Sequence, residues 1–275
     1  MLLLKKMNFT AFLQWKISQQ YDQNREAVCI VQLEQDGSEA KPFYAKFYDQ
    51  TKQPRGLINE VFGYCIAKSW GFDVPEYAAI AFLPIRKLNW HACPENARWL
   101  KVNRTKHEVY PAFCTSVVNA SPPAMTFGLD LDSIRKDVAL WKKLPAAVAL
   151  DHVIANTDRH FGNLLRLSKA RYALIDHGRL FNEQSANWFK DDLQSDGGYK
   201  NCLAELMIGT VANFSSMVIQ EATENAHYSL EGLDLIPEWI NKFASQNDVQ
   251  HIKNIIKARA LNSPIALPLE MGNLC

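Results

Sequence analysis

Residues 151–167, "DHVIANTDRHFGNLLRL", place Asp158, His160 and Asn163 within six positions behind an apolar run, and "YALIDHGRLF" (172–181) follows almost at once. An acid, an imidazole and an amide so close together belong either to a polar turn or to a reaction centre. The next residues decide between them. "LLRL" and "YALI" read as two short strands about a turn at Ser168 to Ala170. The twelve residues between Asn163 and Asp176 suffice for that hairpin, which returns Asp176 to the end that holds Asn163. Gly178 then permits a tight backbone after the second acid.

This order of groups suits phosphoryl transfer from a nucleotide. That reaction asks a protein for a carboxylate beside the attacking hydroxyl, oxygen ligands for magnesium and a cation on the phosphates. Asp158 is the candidate to orient and deprotonate the acceptor hydroxyl. Asn163 offers a neutral amide oxygen to the metal, and Asp176 a charged one. His160 has two open roles, bracing the loop through backbone bonds or touching the transferring phosphate. Arg159 either anchors the segment that follows or makes an exposed ion pair. Asp151, two helical turns before Asp158, is expected to bond the catalytic loop.

Upstream, Pro145 suits the first turn of a helix, "AAVALDHVIAN", that delivers the chain to Asp158. Ser133 is read as the N-cap of "IRKDVALWKKL". The turn-rich stretch 119–132, "NASPPAMTFGLDLD", separates this helical half from an N-terminal half that is mostly sheet. There, 27–47 reads as a two-stranded ribbon around Asp36-Gly37, with Lys46 near the end of its second strand. A helical pattern starts at Leu57, carries Glu60 early and stops at Gly71. Val74 to Pro84, "RWLKVN" and "YPAFCTSVV" are expected strands. Beyond the Asp176 region, Cys202–Gln220, Ile236–Ser245 and Val249–Leu261 are expected helices. The expected class is α+β, with lobes at 1–118 and 119–275.

"DRHFGN" followed by "IDHG" resembles the catalytic and metal-binding loops of the HipA-like kinases, and more distantly those of the phosphatidylinositol 3- and 4-kinases. "FYAKF" is similar to the strand that bears the ATP-binding lysine of that family, here Lys46. "LINEVFGYCIAKSWGFDVPE" is similar to the helix and turn that follow, and matches Glu60 to the glutamate that steadies the lysine. The resemblance covers roughly residues 20–185. It implies a bilobal protein-kinase-like fold, ATP and Mg2+ as cofactors, and transfer of the γ-phosphate to a serine or threonine of a protein. A regulatory partner of the antitoxin kind is a further implication. The sequence has no Gly-rich loop between its first strands; Ser18 to Ala27 stands in that place. A lipid or small-molecule kinase, and an inactive nucleotide-binding module, are the competing readings.

Composition narrows the partners. Thirty Lys and Arg against 29 Asp and Glu give a net charge of +1, which argues against nucleic acid as a partner. No basic amphipathic helix points to a membrane surface. The six cysteines are scattered with no CxxC pair, so reduced thiols and no zinc site are expected. The leucines of "MLLLKK" precede the lysines and form too short a run for a signal core, so a cytoplasmic location is expected.

Overall fold

The computed structural model describes residues 7–16, 26–35, 37–103, 107–181, 188, 193, 195 and 198–272, with side chains described as far as 267. In chain order its elements are β1 (Asn8–Trp15), β2 (Ala27–Glu34), β3 (Lys41–Phe47), α1 (Gly56–Ser69), β4 (Ala78–Leu83), α2 (Arg98–Asn103) and β5 (Tyr110–Ser116). They continue with α3 (Ala124–Phe127), α4 (Leu131–Ala139), α5 (Leu144–Val153), β6 (Leu164–Ser168), β7 (Arg171–Leu174), α6 (Cys202–Met207), α7 (Phe214–Asp234) and α8 (Gln246–Gly272). The class is α+β. The chain forms two compact units, Met1–Leu57 with Pro75–Val118, and Ile58–Val74 with Asn119–Cys275.

The first unit is built on an antiparallel five-stranded sheet of order β1-β2-β3-β5-β4. Period-two patterning dictates its inner face: Ala27, Cys29, Val31 and Leu33 of β2 are buried, with Phe43, Ala45 and Phe47 of β3 beside them. Lys46 alternates to the opposite face, in register with Val28 on one side and Phe113 on the other. The ribbon joins β2 to β3 as expected. The Asp36 half of its turn lies outside the described residues, while Gly37 has a left-handed φ of 75°. Strand β1, with bulges after Phe9 and Phe12, extends the sheet and was not foreseen.

"RWLKVN" is a helix, α2, and not the expected strand. Buried Ala97 and Leu100 stand three residues apart and join the sheet's apolar cluster, which is helical spacing and not alternation. Asn103 donates to the carbonyl of Trp99 at 3.1 Å and closes its last turn.

The second unit takes α1 from Ile58 onward, so the helix expected with the N-terminal lobe groups with the helical half. It also holds the β6–β7 hairpin and α3 to α8. Asp130, not Ser133, caps α4: its carboxylate accepts from the amides of Asp132 and Ser133 at 3.1 and 3.3 Å. A carboxylate is the stronger acceptor and is favoured at the positive end of a helix. The stretch expected as one helix from Cys202 to Gln220 breaks at Gly209, whose φ is 74°, and resumes as α7. Residues 238–242 form a short tight helix behind Pro237, and α8 runs past Leu261 to Gly272. Among the described residues no helix is long and apolar enough to cross a membrane.

Candidate functional site

The site is assembled within the second unit, starting from α5. Every residue of this helix is buried, and Pro145 occupies its first turn. The helix ends where Ala155 takes a left-handed φ of 50°. Arg259 of α8 donates to the carbonyl of His152 at 3.0 and 2.7 Å, so the end of α5 has a cation on its negative pole. The chain then runs antiparallel to 179–181: Thr157 and Phe181 donate their amides to Arg179 and Ala155 at 3.1 and 2.8 Å. That clamp fixes the residues before Asp158 against those after Asp176.

Asp158 follows directly. Its amide donates to Asn156 Oδ1 at 3.3 Å, and its half-exposed carboxylate lies 3.6 Å from Arg179 Nε. His160 caps a tight turn over Phe161–Asn163, its Nδ1 accepting from the Gly162 amide at 3.0 Å. This bond is the loop-bracing contact expected of His160. Gly162 leaves room for that ring, because a Cβ would stand 2.7 Å from His160 Cε1.

Asn163 ends that turn and starts β6. Its Nδ2 donates to the Asp158 carbonyl at 2.7 Å, which uses the donor side of the amide and commits Oδ1 to the acceptor role. The hairpin pairs Leu164 with Leu174, and the Ile175 amide donates to the Asn163 carbonyl at 3.2 Å. Asp176 therefore follows one residue beyond the level of Asn163. It has a left-handed φ of 62°, a conformation an aspartate tolerates better than most residues, and its Oδ1 accepts from the Gly178 amide at 3.4 Å.

Beneath these loops lies Arg159, with no exposed side-chain surface. Its Nε and Nη2 reach the Asp151 carboxylate at 3.2 Å. Its Nη1 donates to the carbonyls of Asn163 (3.4 Å), Ile175 and Asp176 (3.5 Å). Nη2 also meets His177 Nδ1 at 2.9 Å, and since a guanidinium can only donate, that imidazole carries its proton on Nε2. Burial pushes the Asp151 carboxyl up, while Arg159 and a bond from Asn156 at 2.8 Å pull it back. Asp151 thus bonds the loop that carries Asp158, as expected, and Arg159 is the buried anchor and not an exposed ion pair.

Helix α1 closes the arrangement. Glu60, buried, accepts the His177 amide at 2.9 Å. Its neighbour Asn59 donates to the Gly178 carbonyl at 2.8 Å and accepts from Trp188 Nε1 at 3.1 Å. Gly63, one turn on, makes the approach possible: a Cβ there would lie 2.2 Å from His177 Cβ. Asn59 and Gly63 were missed in the sequence. The signal was present, a glycine and an amide inside a mostly apolar helix.

The second unit therefore gathers Asp158, His160, Asn163, Asp176 and Glu60 into one bonded set of loops. Lys46 belongs to the first unit, on β3. Of the expected phosphate-loop segment, Ser18 to Ala27, residues 18–25 lie outside the described residues, and Ala27 begins β2. Among the described residues there is no group of three His, Cys, Asp or Glu that could hold a metal. The amide oxygen of Asn163 and the carboxylate of Asp176 are hard oxygen donors that suit magnesium when phosphate oxygens complete its shell. No protein-family model matches the chain, and a search of curated proteins returns no match.

Proposed function

We propose that the protein is an ATP- and magnesium-dependent phosphotransferase of the HipA-like kind, with two lobes in the kinase manner and a protein serine or threonine as acceptor. The observation that carries this reading is the hairpin register. It returns Ile175 to the level of Asn163, with Asp176 the next residue, while the Asn163 amide is tied to the Asp158 carbonyl. The proposed hydroxyl-orienting acid and both oxygen donors thus stand at one end of the hairpin, which supports the positioning that a loose phosphoryl-transfer transition state requires.

In this reading Asn163 Oδ1 and the Asp176 carboxylate would hold magnesium, which when bound would supply neutralisation of the nucleotide's phosphate charge. Asp158 aligns the acceptor hydroxyl and takes its proton. Arg179, 3.6 Å from the Asp158 carboxylate, keeps that carboxylate in place. His160 shapes the loop. Glu60 holds the loop of Asp176 through the His177 amide, a role the structure adds to the one implied by the family resemblance. Lys46, on the resemblance, supplies the cation on the α- and β-phosphates. Any partner of the antitoxin kind, and a location in the cytoplasm, belong to the same proposal.

Incubation with γ-labelled ATP and a cell extract tests it. Wild type should label itself or an extract protein. Asp158→Ala should lower turnover by about two orders of magnitude or more with ATP affinity little changed, and Asp176→Ala should lower both. Label appearing in lipid or a small alcohol would move the acceptor class. No transfer from wild type, with Asp176→Ala behaving identically, would sink the proposal and favour a nucleotide-binding module.

A further inference from the structure

Arg159 is among the largest side chains fully withdrawn from solvent in the molecule, and its bonds converge on the backbone of the two residues assigned above to magnesium. Through Nη1 it donates to the carbonyls of Asn163, Ile175 and Asp176, while Nε and Nη2 are held by Asp151 on α5. The Asn163 side chain is fixed separately by the Asp158 carbonyl. Asp176 stands in a left-handed conformation, which persists only where surrounding contacts over-determine it. A donor on its own carbonyl and on that of Ile175 supplies such a constraint.

We infer that Arg159 is the positioning residue of the magnesium site: its fork sets the spacing between Asn163 and Asp176, so the protein's demand for magnesium depends on a side chain that touches neither metal nor nucleotide. This inference rests on the phosphotransferase reading and deepens it. A lysine retains the charge but not the planar fork, and one ammonium cannot serve Asp151, three carbonyls and the His177 ring together. Groups that orient metal ligands from outside the coordination shell typically alter metal affinity by about 10- to 100-fold when replaced.

The test is a magnesium titration at fixed ATP, read as the rise in melting temperature, on wild type, Arg159→Lys and Asp151→Asn. The expected result is a folded Arg159→Lys protein whose half-point in magnesium is raised about 10-fold or more. A folded Arg159→Lys with the wild-type half-point overturns the inference and leaves the phosphotransferase reading standing. No magnesium-dependent rise in wild type overturns that reading itself. Should Arg159→Lys not fold, Asp151→Asn decides, since it loosens the fork and keeps a neutral acceptor. A raised half-point there supports the inference; an unchanged one, or loss of fold, makes Arg159 a determinant of folding alone.

Discussion

In the five-stranded sheet alternate residues of β2, and of β3 from Phe43 on, are buried against apolar neighbours, whereas in the loops around Asp158 a guanidinium is fully buried. The sheet is held by many small, interchangeable contacts, so shortening one side chain costs about what its own cavity costs. The loops are held by a few directional bonds that share donors, so removing one partner leaves others buried and unsatisfied. Redundancy suits a platform. Loops that must hold an acid and two oxygen donors in one geometry need the second kind of support.

Breaking the Arg159–Asp151 pair should therefore produce the largest effect. Asp151→Ala is expected to lower stability by about 3–5 kcal/mol in denaturant unfolding, because an uncompensated charge remains buried. The double variant Asp151→Leu with Arg159→Met should recover only part of this, since the carbonyls of Asn163, Ile175 and Asp176 lose their donor as well. Full recovery would reduce the cluster to a simple ion pair and erase the contrast with the sheet.

Gly63→Ala comes next. The added methyl would stand 2.2 Å from His177 Cβ, so α1 or the loop of Asp176 must move, at a cost of about 1–3 kcal/mol. Urea unfolding measures that cost. Magnesium-dependent ATP binding should weaken in the same variant, which a loss confined to α1 packing would not produce.

The smallest effect concerns pH and the hairpin's flank. Arg166, bonded at 2.8 Å and joined by Tyr172, holds the Asp137 carboxyl below the usual carboxylate range, and Arg171 does the same for Asp73. Each folded-state value lies below that of the unfolded chain, near 3.9. The stabilisation is thus complete above about pH 4 and is lost as pH falls through the lowered folded values. Asp137→Asn should flatten the acid limb of a stability–pH curve while leaving its slope near neutrality unchanged.

Much of this was legible in the sequence. Alternation gave β2 and β3, and the hairpin from Leu164 to Leu174 followed from two short apolar runs about a turn. "RWLKVN" misled because its aromatic and β-branched residues suit a strand, while burial of Ala97 and Leu100 set a helical period. In the site, Asp158, Asn163 and Asp176 stood out by residue type and order. Arg159 was legible as an anchor of the segment that follows, but Asn59 and Gly63 were not, because each acts across a long sequence separation: Asn59 to Gly178, Gly63 to His177. A glycine and an amide in an apolar helix mark such a position, but its neighbours in sequence do not name the partner.

The most direct test of the phosphotransferase reading is a thermal-shift titration with ATP, with and without magnesium, on wild type and Asp176→Ala. A ligand that binds only the folded state raises its melting temperature by mass action. A magnesium-dependent rise is expected in wild type and should be lost in Asp176→Ala. No shift in wild type at millimolar ATP, or a shift that Asp176→Ala keeps in full, would contradict that reading.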